Sequence, residues 1–155
     1  MPDQRWLRNE VCSVAGTLEI IGERWTLLVL REAFLGTRRF DDIQRNVGCA
    51  RNILADRLRT LVANGILERR PYQDRPPRSE YRLTAKGLDL YPIIVSLMQW
   101  GDRYLCAERG PAIVLEHKEC GHEVTPELVC PHCGEPAHAR AMRARPGPGA
   151  MNESA

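Results

Sequence analysis

Arginine is concentrated in one segment of this 155-residue chain. Residues 38–78 contain ten arginines, no lysine and five acidic residues, whereas the formal charge of the whole chain is only +2. A guanidinium group can donate paired hydrogen bonds to phosphate oxygens or to the major-groove edge of guanine. A basic segment in a nearly neutral protein therefore indicates a surface that binds a polyanion. The alternative is a charged face that contacts only solvent.

Cysteine and histidine side chains at metal-binding spacing lie in HKECGHEVTPELVCPHCGEP, residues 117–136. In each of two short motifs, two residues separate the candidate ligands and a glycine follows the second one. The four candidate ligands are His117, Cys120, Cys130 and Cys133. One histidine and three cysteines fit the tetrahedral coordination of a structural, non-catalytic zinc ion. We therefore expect a small C-terminal zinc-ribbon-like appendage with one structural zinc ion. His122 and His132 are competing ligands, and an appendage that binds no metal is the alternative.

Four helices that could position the arginines are predicted from the spacing of apolar residues. Residues 11–21 and 40–47 have helical spacing, and the almost continuously apolar residues 25–35 indicate a buried central helix. The fourth helix ends at the Asn64-Gly65 pair, a strong stop signal. The apolar stripe of this helix consists of Leu54, Leu58, Leu61 and Val62. Its opposite face is polar and is therefore free to contact a ligand.

Two short alternating segments, residues 66–72 and 80–83, follow the fourth helix. The sequence QDRPPRS between them contains two consecutive prolines, which cannot donate to a strand ladder, so we expect a hairpin loop. Arg75 and Arg78 lie at its tip. Three helices followed by a basic hairpin are the order of a winged helix-turn-helix, in which a helix enters the major groove of DNA. The predicted fold is therefore mainly α with a small β-hairpin wing.

A long helix is predicted from Thr84, a favourable N-cap, to about residue 107, with a kink at Pro92. Apolar residues cover a wide arc of this helix, so we expect a second copy of the chain to pack against it in a homodimer. Packing against the N-terminal helix of the same chain is the alternative. The predicted organisation is a DNA-binding and dimerisation domain at 1–110, the appendage at 111–140 and a disordered tail at 141–155.

Four segments of the chain resemble the HxlR-type bacterial transcriptional regulators, which are relatives of the MarR group. These segments are CSVAGTLEIIGERWTLLVLRE, GTRRFDDIQ, ILADRLRTLVANGILER and PPRSEYRLTAKG. The resemblance covers residues 12–101 and implies a homodimeric winged-helix protein that binds a short inverted-repeat operator in double-stranded DNA. It also implies dimerisation through the terminal helices. The chain departs from the family pattern at Ala50, where Ser or Thr is usual, and at Ala55 and Asp56, where Thr and Gln are commoner.

Candidate DNA contacts lie on the fourth helix, in the hairpin loop and ahead of the third helix. The candidates on the outer face of the fourth helix are Arg51, Asn52, Asp56 and Arg59. Arg75 and Arg78 are expected to contact the DNA backbone or the minor groove. Phosphate contacts are predicted for Arg38 and Arg39. Arg57 lies nearer the apolar flank, where an intramolecular ion pair is expected.

Cys12 is a candidate redox sensor because it lies just ahead of the first helix, where the resembled family often carries a sensing cysteine. A helix N-terminus favours the thiolate form that reacts with oxidants. The alternative is that Cys12 acts as a small buried hydrophobic residue. Cys49, beside the fourth helix, is a second candidate.

Several classes of protein are disfavoured by the sequence. No apolar run is long enough to cross a membrane, and the segment MPDQRWLRNE lacks the apolar region of a signal peptide, so we expect a cytoplasmic protein. The sequence contains no Ser/His/Asp set, phosphate loop or HExxH motif that would indicate an enzyme.

The leading interpretation is a transcriptional regulator, and a repressor is favoured over an activator. A small-molecule or redox effector would control it. The alternatives are a winged-helix protein-interaction module whose appendage binds a partner, and a thiol-based redox-sensing regulator.

Overall fold

The structure is a computed structural model and describes residues 12–151. These residues form two compact units, one ending at Ile94 and the other beginning at Val95. The boundary falls within a helix, whereas the sequence places a domain boundary at 110/111. The predicted start of the first helix, Val11, lies outside the described residues.

The first unit contains the predicted winged helix-turn-helix elements in the predicted order. They are α1 (Ser13–Ile21), α2 (Arg24–Phe34), α3 (Phe40–Val47), α4 (Arg51–Ala63), β1 (Leu67–Gln73), β2 (Arg78–Leu83), α5 (Ala85–Leu88) and the first turn of α6 (Tyr91–Tyr104). Each of the first four helices begins and ends within a few residues of its predicted bounds. The mainly helical fold with a small antiparallel hairpin is therefore confirmed.

The core of this unit is built from the apolar stripes of the central helices. Val29 and Leu30 of α2 are completely buried, and Ile43 of α3 is 1% exposed. On α4, the stripe residues Leu54, Leu58 and Leu61 are at most 1% exposed. Burial of each such side chain contributes about 1.5–3 kcal/mol. This packing leaves the opposite face of α4 pointing away from α2 and α3.

The hairpin of β1 and β2 is the wing. The two strands pair antiparallel from Leu67 opposite Leu83 to Arg70 opposite Glu80, and the register shifts between Pro71 and Gln73. The prolines at 76 and 77 lie in the turn that joins the strands, as the sequence predicts.

The prediction of one long, kinked helix after the wing is wrong. Thr84 is an N-cap as predicted, and its hydroxyl oxygen accepts a hydrogen bond from Gly87 N at 3.1 Å, but α5 ends at Leu88. A new helix, α6, begins at Tyr91 and ends at Tyr104. The break has a physical reason: Pro92 has no N–H to donate to the carbonyl of Leu88, and its ring would clash with that carbonyl. Proline is accepted in the first turn of a helix, where it stands in α6.

The second unit holds the rest of α6, a small hairpin and a short helix. The hairpin consists of β3 (Leu115–His117) and β4 (His122–Val124), and the short helix α7 spans Pro148–Met151. In the predicted disordered tail, residues 141–147 form no helix or strand, and residues 152–155 lie outside the described part of the chain. No helix in residues 12–151 is both long enough and apolar enough to cross a lipid bilayer.

Candidate nucleic-acid interface

A three-residue turn, Gly48-Cys49-Ala50, joins α3 to α4. Gly48 adopts the left-handed conformation with φ 75°, and its N–H donates to Gln44 O at 2.9 Å. A side chain at this position would be strained, so glycine allows the chain to reverse directly after α3. The side chain of Cys49 is 6% exposed and belongs to the core. The turn therefore fixes the angle at which α4 leaves the core.

Arg51 lies at the first position of α4 and is held by contacts with α3. Its Nη1 atom is 2.9 Å from Asp41 Oδ1 and 3.2 Å from Gln44 Oε1. The guanidinium carbon lies 4.5 Å from the ring centroid of Phe40. The side chains of Arg51 and Asp41 are 66% and 71% exposed, so this ion pair contributes little to stability. Arg51 can therefore exchange Asp41 for a phosphate oxygen at little cost.

The other predicted residues of α4 share the outer face with Arg51. Asn52 and Arg59 are exposed, and Asp56 is partly exposed. Arg59 Nη1 lies 3.1 Å from Asp56 Oδ1, and Arg57 forms an ion pair with the other carboxylate oxygen. The predicted intramolecular pair of Arg57 is present. Asp56 thus accepts from two guanidinium groups of its own helix.

The arginines of the wing tip are exposed. Gln73 Nε2 donates to Arg75 O at 2.9 Å and fixes the turn. Across residues 12–151, the ion pairs present do not involve Arg75 or Arg78. A guanidinium group without an intramolecular carboxylate partner loses no ion pair when it binds an anion.

Arg38 and Arg39, which directly precede α3, contact the wing. The Tyr81 N–H donates to Arg38 O at 2.8 Å, and Arg39 forms an isolated antiparallel bridge with Glu80. The guanidinium group of Arg39 lies 5.0 Å from the ring centroid of Tyr72 on β1. The residues before α3 are therefore bridged to β2, which positions the hairpin relative to the helix-turn-helix.

A groove of about 400 Å³ separates α4 from the wing. Ala55 and Arg59 of α4 line one side, and Arg69 of β1 and Tyr81 of β2 line the other. Arg59, on the outer face of α4, and the strands of the wing therefore border the same groove. Arg69 is exposed and was not singled out from the sequence. In the sequence, only its position indicates a role in the interface: it lies in an alternating strand next to the basic loop.

Three comparisons with known proteins agree with this geometry. A family model of the HxlR-like helix-turn-helix matches residues 20–109. The chain belongs to the HxlR-like helix-turn-helix family. An uncharacterised HTH-type transcriptional regulator of Mycobacterium tuberculosis, Rv3095, is 54% identical to it over 142 residues, which cover 92% of this chain and 90% of that protein.

Solved structures support the same assignment. The crystal structure of PA1607, for which a role as a transcription factor has been suggested, is 37% identical with a TM-score of 0.76 and covers 86% of this chain and 94% of that one. The redox regulator HypR in its oxidized form is 34% identical with a TM-score of 0.56 and covers 59% of this chain and 96% of that one. This HxlR-like protein is a DNA-binding transcriptional regulator of the helix-turn-helix type, which is not an enzyme class.

A buried carboxylate connects α2 to α3 in this HxlR-like protein. Glu32 is 4% exposed, and its Oε2 atom accepts hydrogen bonds from Thr37 Oγ1 at 3.0 Å and from Asn46 Nδ2 at 2.7 Å. Its Oε1 atom accepts from Arg31 Nε at 3.1 Å and Nη2 at 2.8 Å. Burial alone would raise the pKa of Glu32, but the hydrogen bonds from Asn46, Arg31 and Thr37 and the charge of Arg31 together lower it. In the sequence, Glu32 is distinguished only as the single acidic residue of a largely apolar helix.

The predicted metal ligands lie in the second unit as two pairs. His117 Nδ1 is 3.3 Å from Cys120 Sγ. Backbone N–H groups of His132 and then Cys133, and the Cys133 side chain, lower the pKa of the Cys130 thiol. Within residues 12–151, no three His, Cys, Asp or Glu side chains come together closely enough to hold a metal ion. The two pairs are therefore separate in the structure.

The candidate sensor Cys12 is the N-cap residue of α1, is partly exposed, and its thiol caps no N–H group of that helix. Cys49, the second candidate, is buried. All six cysteines of the chain are free thiols.

Proposed function

We propose that this protein acts in the cytoplasm as a homodimeric repressor that binds an inverted-repeat operator. The observation that carries the proposal is the groove between α4 and the wing, because it places Arg59 and Arg69 on one surface. In this arrangement α4 lies in the major groove and the wing tip contacts the adjacent backbone or minor groove.

The N-terminus of α4 adds a second reason for the proposed docking. Its N-cap residue, Ala50, has no side chain that can accept a hydrogen bond from the first-turn N–H groups. Phosphate oxygens can accept from such groups, and the helix dipole favours an anion there. Arg51 stands at the same end with an exposed guanidinium group. A phosphate would therefore be bound by both backbone and side chain at the start of the recognition helix.

The proposed homodimer rests on the apolar surface of α6. Four large side chains at helical spacing are exposed there, by 39–61% of their area: Ile93, Leu97, Trp100 and Tyr104. A continuous apolar stripe of this kind on a soluble regulator is typical of a protein–protein interface. A homodimer would present two α4 helices, and dimers of helix-turn-helix proteins bind half-sites about 34 Å apart. The Leu97→Glu variant should then sediment as a monomer and bind a full operator much more weakly than the wild type.

The proposed roles of the arginines are separable by salt titration. Arg59→Ala should weaken binding to the specific operator by about 1–3 kcal/mol and change random duplex DNA less. Arg75→Ala should weaken binding to both sequences alike and reduce the salt slope by about one. Arg109→Ala, which removes an exposed arginine of the other unit, is the matched control. If neither Arg59→Ala nor Arg75→Ala differs from this control, the proposed interface is wrong.

The sign of regulation is tested by transcription in vitro from a promoter that contains the footprinted operator. A repressor lowers transcript yield at protein concentrations that saturate the operator. An increase in yield would show activation and would overturn the proposed repression without affecting the DNA interface.

A redox signal is a second component of the proposal, supported by the similarity to the redox regulator HypR. Cys12 is the candidate because its thiol is partly exposed at the N-cap of α1. Treatment with diamide should release operator DNA from the wild type and leave Cys12→Ser bound. Equal responses of the two proteins would exclude Cys12 as the sensor, and Cys49→Ser provides the comparison for the buried thiol.

A further inference from the structure

Two turns of similar construction carry the cysteine and histidine pairs of the second unit. In the first, His117 and His122 are paired across β3 and β4, and the N–H groups of Cys120 and Gly121 donate to His117 O at 3.2 and 2.8 Å. Gly121 has φ +69°, a conformation that favours glycine. The turn therefore places His117 and Cys120 side by side at the tip of a hairpin.

The second turn repeats this arrangement without long strands. Val129 and Pro136 form an isolated antiparallel bridge, and the Cys130 N–H donates to Glu135 O at 2.8 Å. The Gly134 N–H donates to Cys130 O at 2.8 Å, and Gly134 has φ +75°. Each pair of candidate ligands thus lies in a tight turn that ends in a left-handed glycine.

One side-chain contact brings two candidate ligands together. His117 Nδ1 lies 3.3 Å from Cys120 Sγ, so the two atoms are adjacent at the hairpin tip. Cys130 and Cys133 stand at the corresponding positions of the second turn. Imidazole nitrogen and cysteine sulfur are the ligands that structural zinc sites use.

This part of the chain also lacks a substantial core of its own. Its strands are three residues long, and Val114, Leu128 and Val129 are exposed by 54%, 71% and 52%. Segments this small generally need a disulfide or a metal ion for stability, and every cysteine here is a free thiol. A metal ion would supply the missing cross-link between the two turns.

We propose that His117, Cys120, Cys130 and Cys133 bind one structural Zn²⁺ ion that joins the two turns. The ligands stand as two pairs in the structure, so binding of one ion requires the two turns to approach each other. Three thiolates and a neutral imidazole complete a tetrahedral set and leave no open position, so the site is structural. The proposal goes beyond DNA binding and does not depend on it.

Elemental analysis of the purified full chain is the first test, and it requires no variant. One equivalent of zinc per chain is expected, with release to a chromogenic chelator only after the thiols are blocked. Substitution by Co²⁺ should give the absorption of a tetrahedral site with thiolate-to-metal charge transfer. Absence of stoichiometric metal after purification and after reconstitution with Zn²⁺ would overturn the proposal.

Single variants then test which residues are ligands. His117→Asn, Cys120→Ser, Cys130→Ser and Cys133→Ser should each lower zinc affinity by at least about tenfold. The matched controls are Cys106→Ser and His138→Asn, which remove the same residue types elsewhere in the second unit and should retain full zinc content. Retention of zinc in both His117→Asn and Cys120→Ser would overturn the four-ligand site. Isolation of the native protein with a Cys130–Cys133 disulfide, detected by mass spectrometry, would also overturn it in favour of a redox-active dithiol.

Discussion

Replacement of Glu32 should destabilise the helix-turn-helix by removing the connection between α2 and α3. Thr37 and Asn46 both donate to Oε2 of this buried carboxylate. Each hydrogen bond to a charged acceptor contributes about 1.5–3 kcal/mol. The Arg31 contribution is small because the Arg31 side chain is 39% exposed and its ion pair is screened by solvent.

Two substitutions at Glu32 give different expected magnitudes. Glu32→Gln keeps an oxygen that can accept from Thr37 and Asn46 but loses the charge, so we expect a loss of about 1–3 kcal/mol in the free energy of unfolding. Glu32→Ala leaves both donors without an acceptor, and we expect a loss of about 3–5 kcal/mol. The measurement is urea denaturation followed by far-ultraviolet circular dichroism, with the exposed Glu23→Gln as the matched control.

The pH dependence of Glu32→Gln provides an independent check. Because the pKa of Glu32 is lower in the folded protein than in the unfolded chain, its stabilisation is fully present above the ordinary pKa of a glutamate. This stabilisation is lost as the pH falls through the lowered folded-state pKa. The stability difference between wild type and Glu32→Gln should therefore be largest near neutral pH and shrink in acid. A difference below about 0.5 kcal/mol at neutral pH, the range of ordinary surface substitutions, would refute the reasoning.

Two further substitutions test local features of the recognition helix and of α5, the short helix after the wing. Ala50→Ser should raise the free energy of unfolding by about 0.5–2 kcal/mol, because Ala50 already has the extended N-cap conformation and lacks only the capping oxygen. Ala55→Ser within α4 is its control in thermal denaturation, and an equal effect of both would contradict the capping argument. Gly87→Ala should cost about 1–3 kcal/mol, because a Cβ there would overlap Ile66 O and lie 3.0 Å from Leu83 Cδ2. Gly101→Ala, whose Cβ would meet nothing within 4 Å, should not destabilise the protein in the same assay, and destabilisation by both would disprove the steric explanation.

The helices and the wing could be predicted because their signals are local. The stripe of Leu54, Leu58 and Leu61 recurs with the helical period, so it fixes both the helix and the face that is buried. The prolines of the loop exclude a strand wherever the rest of the chain lies. The same local reasoning gave a wrong result after the wing. It predicts one helix with a kink at Pro92, whereas α5 and α6 are two separate helices.

The contacts that organise the candidate interface could not be predicted in the same way. Arg51 is predicted as a DNA contact from its place at the start of α4, but its ion pair with Asp41 joins two helices whose packing the sequence does not report. The groove that Arg59 shares with Arg69 joins residues of different elements, and no periodicity in the sequence reports it. The place of Arg69 at this groove therefore has no signal in the sequence beyond its charge and its position in the strand.

The sequence by itself determined the order of the elements from α1 to β2, the buried face of α4 and the basic character of residues 38–78. These properties depend on hydrogen bonding and apolar spacing within a few neighbouring residues, and four segments in family order identified the family before any coordinates. Only the tertiary structure decided that Glu32 joins α2 to α3, that the segment before α3 is bridged to the wing, and that α4 and the wing border one groove. Each of these depends on the distance between residues far apart in the chain, which is set by the packing of the whole core.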